Sequence, residues 1–229
     1  MRTTATPPRR TATLRPPIDR TTPIASHRTV QRGVLRGMGV GMAITLVLLV
    51  LMIALAPRAL LPLIGPTASL VAALHWALLP LLCLAAVIGL MARHRFFHAE
   101  DIDGSGLAGG GLTGAGATAS RGMTGGSWTI RIYQAILQNT LEQVVLAIPT
   151  YLIWAVTLPR QWQAAVPAAA ILFVVGRVLF WRGYSGGAPS RSLGFALTFY
   201  PTLVLALVAA VAALIGLGTP SVGLGIPNP

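Results

Sequence analysis

Long apolar runs, not short alternating patterns, organise this chain. Residues 39–56 carry no charge over eighteen positions. Four more apolar segments follow, at 67–91, 129–158, 164–181 and 193–217. A membrane-spanning helix needs roughly 17 to 25 apolar residues, so the pattern predicts five spans. The first is read as a retained helix: the apolar core of a cleaved signal peptide is shorter, about 7 to 15 residues. Prolines punctuate the pattern. Pro57 ends the first segment, Pro66 opens the second, and Pro80 falls inside it, where a kink is expected. The third and fifth segments exceed the minimum length, which predicts tilt or extension into the headgroups.

The stretches between are of different character. Residues 1–36 hold eight Arg, eight Thr and five Pro. Such a segment buries no core and is expected to be a disordered basic tail. Residues 92–128 form a Gly-rich loop, and 218–229 an uncharged C-terminal tail. The reading is an all-α integral membrane protein. An additional transmembrane helix at 37–57 precedes a four-helix membrane domain at 67–217.

Composition agrees and adds an orientation. Apolar residues make up 54% of the 229 and charged residues only 10%, against about 25% charged in an ordinary soluble domain. Mean hydropathy is +0.72. The formal net charge is +12, from seventeen basic and five acidic residues, and every basic residue is Arg. With the amino-terminal tail in the cytoplasm, fourteen arginines fall on the inner side. Only Arg58 and Arg160 lie outside, and Arg177 sits within the fourth span. That asymmetry is the positive-inside pattern, so the membrane accounts for the basic excess without nucleic acid. The expected location is the inner (plasma) membrane of a bacterium, with anionic headgroups as partners of the tail.

Several chemistries drop out. Cys83 is the single cysteine, so no intrachain disulfide forms, and no Cys/His cluster has metal-ligand spacing. The acidic Ala-Glu-Asp-Ile-Asp-Gly stretch at 99–104 lacks the Glu of a calcium-binding loop. The Gly run after it lacks the Lys-Ser/Thr of a phosphate loop. His75, inside the second span, reads as a hydrogen-bonded or interface-facing side chain.

Two segments carry polar groups where lipid makes them costly, and such groups face a bundle interior. The third span contains Gln138, Asn139, Glu142 and Gln143. Gln138 and Glu142 are i, i+4, and Asn139 and Glu142 are i, i+3, so they share a face. The fourth contains Arg177, with Tyr184 two turns on. The two spans run in opposite directions, so Glu142 and Arg177 are expected at similar depth. They are expected to pair, within one subunit or across an interface. The alternative is that these groups only hold helices together.

Leu137-Gln138-Asn139-Thr140-Leu141-Glu142-Gln143 resembles the Asn-x-x-Glu motif in the second helix of the MAPEG family, the membrane-associated proteins of eicosanoid and glutathione metabolism. The run from Gly176 to Tyr184 resembles the family's Arg-x-x-Tyr-x-x-Gly-Tyr pattern, and Arg191 resembles the Arg that opens its fourth helix. The two motifs lie in order on neighbouring apolar helices. The resemblance implies a four-helix bundle assembled as a homotrimer, with glutathione bound between subunits toward the cytoplasmic side. Carried over, Asn139, Glu142, Arg177 and Tyr184 would contact glutathione, and Arg191 would act catalytically by stabilising its thiolate. A guanidinium near sulfur favours the anionic, nucleophilic form.

The chain departs from that pattern at three positions. Ala135 stands where the family has Arg, Gln143 where it has Tyr, and Phe180 where it has Tyr. In these respects it looks like bacterial members of undefined activity. The function implied is a glutathione-dependent transferase or peroxidase acting on a lipophilic electrophile from the bilayer. A non-catalytic trimer whose polar interface serves assembly is the alternative. A small transporter is a third reading, weakened by the lack of an internal repeat.

Overall fold

The computed structural model describes residues 27–55, 66–98 and 128–216. The tail before residue 27, Arg58, the stretch 99–127 and the C-terminal tail lie outside the described residues. Five long helices make up the fold: α1 (His27–Leu55), α2 (Pro66–Phe97), α3 (Trp128–Thr157), α4 (Ala165–Arg182) and α5 (Ala188–Leu214). All five contain windows long and apolar enough to cross a membrane, so the five spans read from hydropathy are present. Two boundaries move. Residues 27–36, read as part of the disordered tail, are the first turns of α1. Helix α2 runs past its apolar part through Arg93, His94 and Arg95 to Phe97, so the loop read as starting at 92 starts later. A helix bonds within itself, so it continues into water after its lipid-compatible stretch ends.

Neighbouring helices pack as α2 on α3 and α4, α4 on α5, and α1 on α5 and α4. Large apolar side chains such as Val47, Leu82, Val145 and Leu207 point outward, as a lipid-facing surface requires. Lipid is as apolar as Leu, so helix association here depends on close packing and hydrogen bonds. Small residues supply the close packing. On α1, Gly33, Gly37 and Gly41 repeat every fourth position. A Cβ at these positions would run into Pro189, Ser192 and Ala196 of α5 respectively. The same stripe continues through Thr45 and Leu49, both buried. Between α4 and α5, a Cβ on Gly176 would come within 2.8 Å of the Gly194 carbonyl oxygen and 2.9 Å of the Thr198 nitrogen.

Two short turns fix the antiparallel pairs. Between α3 and α4, the side chain of the buried Gln163 donates to the carbonyl oxygens of Trp154, Ala155 and Leu158, at 3.4, 3.3 and 2.8 Å. The Trp154 indole donates to the Trp162 carbonyl at 3.1 Å. These bonds occupy carbonyls that a helix end otherwise leaves unpaired. The main core lies in this half, around Tyr151, Trp154, Phe173 and Leu205. At the other end, α4 closes on Gly183 and a 3-10 turn, Tyr184–Gly186, leads into α5. Gly187, with φ of 83°, caps α5, in a conformation that a side chain disfavours. The Ser190 hydroxyl donates to the carbonyls of Gly183 and Gly187. This tight reversal sets Tyr184 and Arg191 side by side.

Candidate functional site

The site lies at the end of the bundle where α4 finishes and α5 begins. Arg28, Arg32, Arg36, Arg131, Arg182 and Arg191 belong to the same end, because α1 and α5 run in parallel while α3 and α4 run antiparallel. A cleft of about 440 Å³ opens there, lined by Asn139, Tyr184 and Arg191 together with Ala135, Phe180 and Phe195. Val34 and Met38 of α1 complete its wall.

Two rings run between two cations at its floor. The Arg177 guanidinium lies 4.7 Å from the centre of the Phe180 ring. Phe180 meets Tyr184 edge to face at 5.8 Å, and the Arg191 guanidinium lies 4.8 Å from the centre of the Tyr184 ring. Such contacts are worth about 0.5–2 kcal/mol each, more where water is excluded. Phe180, where the resemblance noted above has Tyr, is the ring next to Arg177. It gives up a hydroxyl and keeps the aromatic face.

Arg177 is fully buried, with no exposed surface. Its Nη1 donates to Asn139 Oδ1 at 2.8 Å and its Nε to Thr198 Oγ1 at 3.1 Å. The Thr198 hydroxyl in turn donates to the Gly194 carbonyl at 2.9 Å. One guanidinium thus ties α3, α4 and α5 together, at the level where Gly176 and Gly194 let the last two approach. Nη2 is buried without a hydrogen-bond partner among the described residues. Because Asn139 Oδ1 is occupied, its amide nitrogen is the group left for the cleft.

Three of the five residues singled out from the sequence, Asn139, Tyr184 and Arg191, converge on this cleft. Arg177 sits behind it and touches it through Asn139. Glu142 goes elsewhere: it is exposed on the outer face of α3, and its Oε1 accepts from Gln138 Nε2 at 2.9 Å. The expected i, i+4 partnership of Gln138 and Glu142 is therefore present, and the pairing of Glu142 with Arg177 within one chain is not. Asn139, three residues earlier on the helix, faces α4 and takes that guanidinium instead. His75 is exposed on α2, and Cys83 is a buried free thiol. Among the described residues no cluster of His, Cys, Asp or Glu could hold a metal.

The sequence reading missed the α1 contribution. Its signal was present as Gly33-x-x-x-Gly37-x-x-x-Gly41, a small-residue stripe of the kind that packs membrane helices. Thr198 was missed as well, because a Thr in an apolar helix has no signature until its neighbour is known.

Arg191 makes no hydrogen bond or ion pair among the described residues; its recorded contact is the Tyr184 ring. A guanidinium carries five donors, so this one is available to an anionic or thiolate group entering the cleft. No curated protein and no solved structure matches the chain. The sequence model of the MAPEG family matches residues 69–211, from the second helix to the last, and leaves α1 outside. With five membrane-length helices and a motif-bearing cleft inside that range, the chain is an integral membrane protein and belongs to the MAPEG family.

Proposed function

We propose that this protein is a glutathione-dependent transferase or peroxidase that acts on lipophilic electrophiles drawn from the bilayer. The observation that carries the reading is Arg191, held over Tyr184 at the wall of the cleft and in no ion pair among the described residues. The residues present fit glutathione in chemical type. Arg191 and the Tyr184 hydroxyl offer donors to its sulfur, and the Asn139 amide nitrogen offers a donor to a carboxylate or carbonyl. The Ala135 side chain leaves that wall without the family's second cation, so charge-assisted binding rests more heavily on Arg191.

When bound, glutathione would supply a sulfur nucleophile: its addition to the β-carbon of an α,β-unsaturated carbonyl would form a carbon–sulfur bond and break the carbon–carbon π bond, the proton lost from the thiol to solvent being balanced by one gained at the α-carbon. Arg191 lowers the cost of keeping that sulfur ionised. Phe180, packed between Arg177 and Tyr184, holds the Tyr184 ring in place beneath Arg191. Arg177 is a positioning residue: it fixes the Asn139 amide from behind.

Purified protein in nanodiscs, titrated with glutathione at millimolar concentration, is expected to gain thermal stability. It is also expected to turn over a lipophilic electrophile such as an alkenal. The absence of both a shift and turnover would remove the enzyme reading.

A specific observation favours a second property, assembly. Gln138 and Glu142 are exposed on the membrane-spanning part of α3. A carboxylate facing lipid is costly, so another copy of the chain covering this face, as in a homotrimer, supplies its partners. The interface then serves assembly whether or not the cleft is catalytic. Native mass spectrometry that shows only monomers would contradict it.

A further inference from the structure

The helix that lies outside the family match is part of the cleft. Gly33, Gly37 and Gly41 bring α1 against Pro189, Ser192 and Ala196 of α5. Val34 and Met38 follow Gly33 and Gly37 by one position and are four residues apart, so they form a second stripe beside the glycine stripe. Once the glycines are seated, that stripe is carried over the cleft, and both side chains line it. Both are half-buried. The lining is therefore mixed: Arg191, Asn139 and Tyr184 are polar, and Val34, Met38 and Phe195 are apolar. A ligand suited to both kinds of lining has an anionic or sulfur-bearing head and a hydrocarbon body.

We propose that Val34 and Met38 of α1 form the acceptor wall of the Arg191 cleft and select its lipophilic substrate by size. This rests on the reading under Proposed function, which it deepens by giving the acceptor half a location. The two side chains belong to a helix that meets α5 at this level through a stripe of glycines. The wall is thus an addition to a domain that has its polar half without it. A single methylene in an apolar pocket discriminates by roughly 10- to 200-fold, so changes of this size at positions 34 and 38 are readable.

The test uses the full-length protein in nanodiscs and α,β-unsaturated alkenals of increasing chain length. In each turnover the sulfur adds to the β-carbon and a proton to the α-carbon. Val34→Trp and Met38→Trp are expected to lower kcat/KM for long over short alkenals by about tenfold. Val34→Ala and Met38→Ala are expected to shift the preference toward longer chains. In parallel, a diazirine-bearing alkyl aldehyde is photolysed with the wild-type protein, and the label is expected on the peptide carrying residues 34 and 38. The thiolate absorbance of bound glutathione is recorded for each protein as the measure of the polar half. An unchanged chain-length profile in all four variants, or a label that maps only to other helices, overturns the proposal. Lack of glutathione binding in the wild type removes the reading it rests on instead, and the photolabel then decides the role of α1 by itself.

Discussion

Arg177 shows how one buried cation organises a membrane site. Among the described residues no carboxylate meets it; two neutral oxygens, on Asn139 and Thr198, take two of its donors. Leaving a buried charged donor unpaired costs more than the about 1–3 kcal/mol of a neutral group. Asn139→Ala is therefore expected to destabilise the fold by about that amount or more, read as a lower midpoint in thermal unfolding of the detergent-solubilised protein. Asn139→Asp places a carboxylate against the guanidinium and is expected to keep the fold much better. Equal loss in the two variants would contradict the pairing. At this scale the sequence was only partly readable. Motif spacing pointed to Asn139, Arg177, Tyr184 and Arg191 as a group. It did not say that Asn139, not Glu142, takes the guanidinium within the chain, because helix rotation about its axis is set by packing and not by spacing alone.

Among the elements, α1 is the one most exposed to test. Hydropathy found its span but is blind to its docking, since Gly scores as neither strongly apolar nor polar. What matters is the backbone approach that a missing Cβ permits. Gly37→Leu puts a side chain into Ser192 and the backbone of Leu193. Overpacking of this kind costs about 1–3 kcal/mol, so α1 is expected to separate from α5. A disulfide between Gly33→Cys and Pro189→Cys, whose Cβ positions adjoin, in a Cys83→Ala background, is expected to form readily in the parent and poorly with Gly37→Leu. Equal crosslinking would show that the glycine stripe does not hold the helix. The α3–α4 turn is a second case. Gln163→Ala removes the buried amide that donates to the carbonyls of Ala155 and Leu158 and more distantly to Trp154 and is expected to cost about 1–3 kcal/mol, read by the same unfolding assay. Nothing in the hydrophobic pattern marks Gln163. Its role comes from the carbonyls that a helix end leaves open.

For the whole molecule, the positions of the arginines predict an orientation with the basic end in the cytoplasm. Gln31 and Gln161 are exposed at opposite ends of the bundle. With Cys83 buried, a cysteine introduced at Gln161 is expected to react with a membrane-impermeant maleimide on intact cells. One introduced at Gln31 is expected to react only after permeabilisation. The reverse pattern would invert the topology and move the cleft to the outer side. The five spans and the family were legible because long apolar runs and two spaced motifs survive without knowledge of packing. The polar face carrying Gln138 and Glu142 was legible as a face, and its outward direction came only from the fold.

The central claim is that Arg191 holds a glutathione thiolate in the cleft shared by α1, α3, α4 and α5. Its most direct measurement is the ultraviolet difference spectrum of the purified protein on addition of glutathione at neutral pH. The wild type is expected to develop the thiolate band. Arg191→Ala is expected to lose it, with turnover falling on the order of a hundredfold or more, as when one charge-stabilising donor is removed elsewhere. A wild type with no thiolate band, or an Arg191→Ala protein with the band undiminished, would contradict the account.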